Sequence, residues 1–256
     1  MAEQPIRVER DGGVAAVVVD RPEARNALTA AMRAEMLRIF GELANDPELR
    51  VVTLRGTGGK SFISGADLNE FAAARGAEPL IEQSRRDEEL YRAIEAVPAP
   101  VVALIEGFAL GGGLMLAGVC DLRVCSADSR FGITVAKLGN CLSPGMYPRL
   151  AALVGPARLK QMLLGAELID AETALHWGLV SEVVEPAAFE QRVAALTTEL
   201  ASFAPLAQWA TKESLRRVAA GDPGGEDVME RVLGSEDFRE GVDAFLEKRQ
   251  PRWRNR

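Results

Sequence analysis

The sequence predicts an α/β fold of repeated strand–strand–helix units that continues into a helical C-terminal region. Three observations carry this. Short apolar, β-branched runs alternate with helix-periodic stretches as far as Ala151, strand signals fade after it, and two strand-to-helix junctions consist of small residues, Ser64-Gly65-Ala66 and Gly111-Gly112-Gly113. A chain of 256 residues that is 48% hydrophobic can also bury a large core.

Ile6 to Glu9 and Val14 to Asp20 read as strands, the second rich in valine, as a strand buried on both faces is. Thr29 is placed to cap a helix in which Met32, Met36, Phe40 and Leu43 recur at helical spacing until Asn45-Asp46-Pro47 ends it. Val51 to Arg55 is the next strand. Lys60 to Leu68 (KSFISGADL) then offers strand, tight turn and helix start, and Pro79 to Ala96 is a long polar helix. The buried strand Val101 to Ile105 leads through Phe108 to Asp121 (FALGGGLMLAGVCD) into an apolar helix. Beyond Ala151 the chain reads as helices broken at Gly155-Pro156, Gly178, Pro186 and Pro205, with a Gly-Asp-Pro-Gly-Gly turn at 221–225.

Charge and composition exclude several classes of function. A formal charge of −7 argues against general nucleic-acid affinity. The basic tail of Lys248, Arg249, Arg252, Arg254 and Arg256 reads either as a solvated segment or as an anion contact. No apolar run reaches the ~18 residues that span a bilayer, and the opening MAEQPIRVER lacks the layout of a signal peptide, so a cytoplasmic protein without membrane partners is expected. Cys120, Cys125 and Cys141 are too few and too irregularly spaced for a disulfide framework or a zinc site, and no metal is expected. The single histidine, His176, sits at an amphipathic helix end and is expected to have a packing or surface role. Mechanisms built on a histidine base are disfavoured.

The glycines at 111–113 suggest chemistry carried by the main chain. The first amides of a helix have no intrahelical partner and lie at its positive end, and glycine lets a ligand approach them. A glycine triplet serves tight helix–strand packing equally well, and this segment alone does not separate the two readings.

The order of SGADL and FALGGG, with RPEARNAL (Arg21 to Leu28), FGITVAKLG (Phe131 to Gly139), GPARLKQMLLGAELIDAETALHWGLV (Gly155 to Val180) and FLEKR (Phe245 to Arg249), resembles the crotonase superfamily, the enoyl-CoA hydratase and isomerase group. The likeness runs over nearly the whole chain. It implies a ββα superhelix with a helical C-terminal trimerisation region: residues 1–195 as an acyl-CoA-binding core, and 196–256 as an oligomerisation region that makes a homotrimer or a hexamer of two trimers. It also implies a CoA thioester as substrate, with no permanently bound cofactor. By the same resemblance the backbone amides of Ala66 and Gly112 form an oxyanion hole for a thioester enolate, where losing one donor typically costs about 3 kcal/mol. CoA would lie along Ala24, Arg25, Ser64, Ala66, Asp67 and Leu68, with Phe245 and Lys248 reaching it from the C-terminal helix, often that of a neighbouring subunit. Arg25 and Lys248 are the natural phosphate partners. Asp67 also fits a simple helix cap, and Phe245 a core aromatic.

The chain departs from the family at the two glutamates that hold and activate water in its hydratases. Met115 and Val135 stand at those positions, and neither moves a proton. The family's later glycine-rich stretch is replaced by Asn140 to Tyr147 (NCLSPGMY).

Three readings follow. An isomerase or hydratase-like enzyme would take its proton carrier from elsewhere: Asp87, Glu88 or Glu89, expected to be solvated in their polar helix, or Cys141, Ser143 or Tyr147, expected to pack. Glu106 reads as a turn or interface acid. A decarboxylase of malonyl-type thioesters would need no base, and FGITVAKLG is partly similar to the methylmalonyl-CoA decarboxylases of the superfamily. A non-catalytic CoA-thioester-binding protein is the third. The acyl group is expected to lie under the region Phe71 to Tyr91.

Overall fold

In the computed structural model, which describes residues 5–255, the strands are β1 (Ile6–Asp11), β2 (Val14–Val19), β3 (Val51–Gly56), β4 (Ser61–Ile63), β5 (Val101–Ile105), β6 (Phe108–Leu110), β7 (Leu122–Ser126), β8 (Arg130–Gly132), β9 (Ile169–Asp170) and β10 (Glu182–Val184). The start of the N-terminal reading and Arg256 of the basic tail fall outside these residues. A six-stranded sheet has the order β1-β2-β3-β5-β7-β10 and a four-stranded sheet the order β4-β6-β8-β9. β1 is antiparallel to β2, and the other neighbours in the larger sheet are parallel.

The predicted repeat is visible in this topology. Each of the pairs β3-β4, β5-β6 and β7-β8 sends its first strand to the larger sheet and its second to the smaller, and each is followed by helix. After α1 (Ala30–Leu43), which precedes β3, these helices are α2 (Leu68–Ala73) and α3 (Glu78–Ala96), then α4 (Gly112–Val119), then α5 (Val135–Leu138). Parallel strands require such crossovers, and stacking them makes the chain wind as a spiral. Thr29 starts α1 as expected, its Oγ1 accepting from Met32 N at 3.2 Å. The inner face of α1 buries Met32, Met36, Phe40 and Leu43 in the main core.

The C-terminal half contains α6 (Met146–Val154), α7 (Pro156–Gly165), α8 (Ala171–Trp177), α9 (Phe189–Ala201), α10 (Pro205–Ala219), α11 (Glu226–Leu233) and α12 (Glu236–Glu247). The expected breaks fall between them: Gly178 caps α8, Pro205 opens α10, and Gly155 separates α6 from α7. Strand does fade after Ala151: among the described residues β9 and β10 alone follow it, β9 beside β8 in the smaller sheet and β10 completing the larger sheet beside β7 on three residues, too short a pattern to read. Residue 195, after which a boundary was expected, lies within α9, whose Phe189, Val193 and Leu196 pack with Val51, Val102 and Val124 of the larger sheet. No helix among the described residues is long and apolar enough to cross a membrane.

One close approach fixes the relation of α4 to the smaller sheet. A Cβ on Gly113 would lie 1.9 Å from the carbonyl oxygen of Ile63, so only glycine lets the helix meet β4 there. At Gly112 the nearest atom would be 3.6 Å away. Gly113→Ala should therefore destabilise the fold by about 1–3 kcal/mol or more, whereas Gly112→Ala should leave the denaturation midpoint nearly unchanged; chemical unfolding of the two variants tests the contrast.

Candidate active site

β4 and β6 pair in parallel, Ser61 beside Phe108 and Ile63 beside Ala109, so the loops that follow them leave the sheet from the same edge. One loop is Ser64 to Asp67 and the other is Gly111. The first is held by the segment 25–28: Ser64 N donates to Arg25 O at 3.2 Å, Leu28 N to Gly65 O at 2.8 Å and Asp67 N to Leu28 O at 3.0 Å. Asn26 pins that segment in turn, its buried amide donating to Ser61 O at 2.7 Å and Thr57 O at 3.0 Å. The sequence reading gave Asn26 no part. Its left-handed φ of 57° within RPEARNAL is a local signal consistent with an asparagine there.

This bracing uses the amides around Ala66 but not its own. Among the described residues neither Ala66 N–H nor Gly112 N–H finds an acceptor. The two loops touch, since a Cβ on Gly112 would stand 3.7 Å from Ala66 N and one on Gly65 would stand 3.4 Å from Gly112 N. Gly65 has a φ of 110°, which a side chain would strain. Within the glycine triplet, Gly113 permits the packing and Gly112 presents an unpartnered amide.

The two amides line a cavity of about 260 Å³. Met115, one turn along α4, and Val135, at the start of α5, form apolar parts of its wall. Helix α3 contributes Leu80, Gln83, Ser84, Asp87, Leu90 and Tyr91, and Phe71 adds to them, so the region 71–91 does lie over the pocket. Ser64 and Leu68 also border it, as do Cys141 and Ser143. Ser143 Oγ is buried without a hydrogen-bond partner, while Cys141 is exposed.

Asp87 requires a correction, because the polar run 87–89 was expected to be solvated. Glu89 is exposed, and Glu88 leans the other way to meet Arg149 at 2.9 Å. Asp87, by contrast, lies on the inner stripe of α3 with Leu80, Ser84, Leu90, Tyr91 and Ile94. Spacings of three and four residues were the available signal, masked by the charges between them. Arg33 Nε is 3.1 Å from Asp87 Oδ1, yet its N–H is not aligned for a hydrogen bond and Oδ1 has none. The guanidinium instead donates to Leu28 O at 2.7 Å and Glu70 Oε2 at 3.0 Å. Burial pushes the Asp87 carboxyl up to about 6, with Arg33 opposing and Glu70 adding to the shift. Tyr91, one turn further on, lies 4.0 Å from Met115 Sδ through its hydroxyl, and burial raises its phenol above the ordinary range.

Other expected residues are distributed more widely. Asp67 caps α2, accepting from Asn69 N at 3.0 Å, and pairs with Arg21 at 2.8 Å, which holds its carboxyl below the usual value. Arg25 is exposed beside the Pro22–Ala24 turn that contains Ala24. Phe245 and Lys248 lie at the end of α12, and this chain's own fold does not bring them to the cavity; Phe245 is 83% exposed beside an apolar groove with Leu206, Val242 and Trp253. Tyr147 borders a neighbouring groove instead. Glu106 pairs with Arg55 at 3.0 Å, outside the cavity, and His176 is exposed. Cys120 and Cys125 are buried, and burial pushes both thiols up to about 12.

An α/β spiral of ββα units with this cavity defines the crotonase fold class. Residues 9–256 match the family model for enoyl-CoA hydratase/isomerase. The chain is 35% identical over 248 residues to the short-chain-enoyl-CoA hydratase of Clostridium acetobutylicum, covering 95% of each protein. It is also 35% identical to the carnitinyl-CoA dehydratase of Escherichia coli K12, covering 99% of each. An enoyl-CoA hydratase/carnithine racemase from Magnetospirillum magneticum superposes with a TM-score of 0.95 at 32% identity, over 100% of this chain and 97% of that one. The chain belongs to the enoyl-CoA hydratase/isomerase family.

The Asp87 carboxyl makes a prediction about stability. Its folded value of about 6 lies above the ordinary 3.8, so between these pH values the folded chain holds a proton that the unfolded chain has released. Stability from this group falls as pH rises through that window. Asp87→Asn removes the effect and should gain up to about 3 kcal/mol relative to the parent between about pH 4 and 6, then level off, as read from urea midpoints at each pH.

Proposed function

We propose that the chain is an acyl-CoA enzyme that stabilises a thioester enolate between the amides of Ala66 and Gly112. The observation that carries this reading is the pair of unpartnered N–H groups converging on one cavity. A thioester carbonyl placed between them gains negative charge as its α-carbon is deprotonated, and preorganised donors stabilise that charge without reorganising. No permanently bound cofactor is required. CoA is read as lying along Ala24, Arg25, Ser64, Asp67 and Leu68, with Arg25 as a phosphate partner and Phe245 and Lys248 supplied by a second copy.

Ordinary hydration does not fit the walls. Adding water across a double bond needs one group to activate the water and one to protonate the α-carbon, and Met115 and Val135 supply neither. Enolate chemistry needing fewer proton carriers fits better, isomerisation first. Decarboxylation of a malonyl-type thioester is the second reading, favoured by the apolar side chains of Met115 and Val135, which ease loss of charge from the substrate.

Self-assembly into a homotrimer, or a hexamer of two trimers, is supported by the apolar residues left exposed on the last three helices, among them Leu215, Val218, Met229, Leu233, Phe245 and Leu246. Light scattering on the eluting protein should give three or six times the mass of 27.5 kDa; a monomer would remove this part of the reading.

The chemical test is α-proton exchange of saturated and β,γ-unsaturated acyl-CoA in D₂O, followed by mass spectrometry, with CO₂ release from malonyl-type thioesters measured alongside. Exchange is expected. CO₂ loss without exchange would select the decarboxylase, and tight binding with neither would select a binding protein. Gly112→Pro keeps a residue suited to the first helical position but deletes its donor, so turnover should fall about 10²- to 10³-fold. Full turnover in this variant would remove Gly112 from the oxyanion site.

A further inference from the structure

Asp87 Oδ1 and Ser143 Oγ are the buried side-chain polar atoms without a hydrogen-bond partner among the described residues, and both residues border the same cavity. An orphaned buried acceptor is unfavourable unless something outside the chain completes it. The ion pair does not explain Asp87. Arg33 turns its aligned N–H groups to Leu28 and Glu70, so its charge stays partnered whether or not Asp87 is present.

The place of Asp87 is connected to the free amides by short steps. Gly112 and Met115 are one turn apart on α4, Met115 Sδ is 4.0 Å from the Tyr91 hydroxyl, and Tyr91 is one turn from Asp87 on α3. A thioester held at Ala66 and Gly112 would extend into the space that these side chains enclose. The other candidate carriers are weaker bases or less enclosed. Tyr91 keeps its proton, the buried Ser143 hydroxyl has no hydrogen-bond partner to accept its proton, and Cys141 is exposed.

We propose that Asp87 is the catalytic proton carrier of this cavity, moving a proton between the α- and γ-carbons of a β,γ-unsaturated acyl-CoA. The inference rests on the enolate reading above. In the first step the Cα–H bond breaks, Asp87 takes the proton, and the electron pair delocalises as a dienolate whose charge falls on the thioester oxygen. In the second, Asp87 gives the proton to Cγ, the double bond settles between Cα and Cβ, and the oxygen loses its charge. The carboxylate is regenerated and no co-reactant is consumed. One carboxyl group suffices where hydration needs two, which accounts for an enclosed acid persisting when both hydratase positions are apolar.

The charged and titratable groups facing Asp87 are Arg33 from α1, Glu70 from α2 and Tyr91 from its own helix, while α4 presents Met115. The base form is required for the first step, so exchange should rise with pH along a limb near 6 and level off above it.

The test is D₂O exchange of a β,γ-unsaturated acyl-CoA by the parent chain, by Asp87→Asn and by Asp87→Glu, with CoA-ester binding measured in each. Asp87→Asn should bind the ester but lose exchange by about 10²- to 10⁴-fold, and Asp87→Glu should recover part of it. The pH profile of the parent is a second readout that needs no variant, and its limb should lie well above that of an ordinary aspartate. Exchange by Asp87→Asn at the parental rate, or a parental profile flat from pH 5 to 8, would overturn the assignment while leaving the enolate reading intact. A parent that binds the ester without exchanging would overturn the assignment, and if it also releases no CO₂ from malonyl-type thioesters the enolate reading falls with it. Loss of exchange in Cys141→Ser with retention in Asp87→Asn would move the role to the thiol.

Discussion

β4 and β6 run side by side in the same direction, and the helix after β6 sits so close to β4 that Gly113 has no room for a side chain. The rest of the site depends on this contact. Parallel neighbours end at the same edge of a sheet, so their following loops meet there, and the crevice at such an edge is where α/β proteins place ligands. The contact at Gly113 sets the depth of α4, which brings its first amide to Ala66 and turns Met115 towards the cavity. β8 repeats the arrangement one strand further on, pairing Leu110 with Gly132, and so delivers Val135 to the same space.

Helix α3 serves two environments with one face. Leu90, Tyr91 and Ile94 are buried in the main core, while Leu80, Gln83, Ser84 and Asp87 nearer its start line the cavity. Its other side is held by ions: Arg149 of α6 reaches Glu88 at 2.9 Å and Glu95 at 2.7 Å. These pairs are partly buried and fix the rotation of the helix, so Asp87 is committed to the interior. Its enclosure raises its proton affinity into the range where an acid can both take and release a proton near neutrality. An aspartate whose carboxylate is hydrogen-bonded and ion-paired has the opposite character, as Asp67 illustrates beside Arg21 and Asn69.

The last three helices present a different surface problem. Apolar residues remain exposed on α10, α11 and α12, and the aromatic and cationic residues proposed to meet CoA lie there, away from their own chain's cavity. Burial against another copy would resolve both facts. The ββα core and this surface are joined through α9, which packs on the larger sheet across the position where a domain boundary was expected.

The sequence by itself determined the kind and order of most elements, from the cap at Thr29 to the helix breaks at Gly155, Gly178 and Pro205, because these follow from local periodicity, capping and backbone restriction. It also marked the two loops whose amides stay free in the structure, since motif order survives in one dimension. Only the tertiary structure decided which glycine packs and which presents its amide, that β10 closes the larger sheet, and that Asp87 rather than Glu88 or Glu89 faces the cavity. Those outcomes depend on contacts between residues distant in the chain: Ile63 against Gly113, β7 against three residues near 183, and Arg149 drawing Glu88 to the far side of α3. Burial of a charged side chain is a property of its partners in space, and the helical stripe that held Asp87 was crossed by too many charges to announce it.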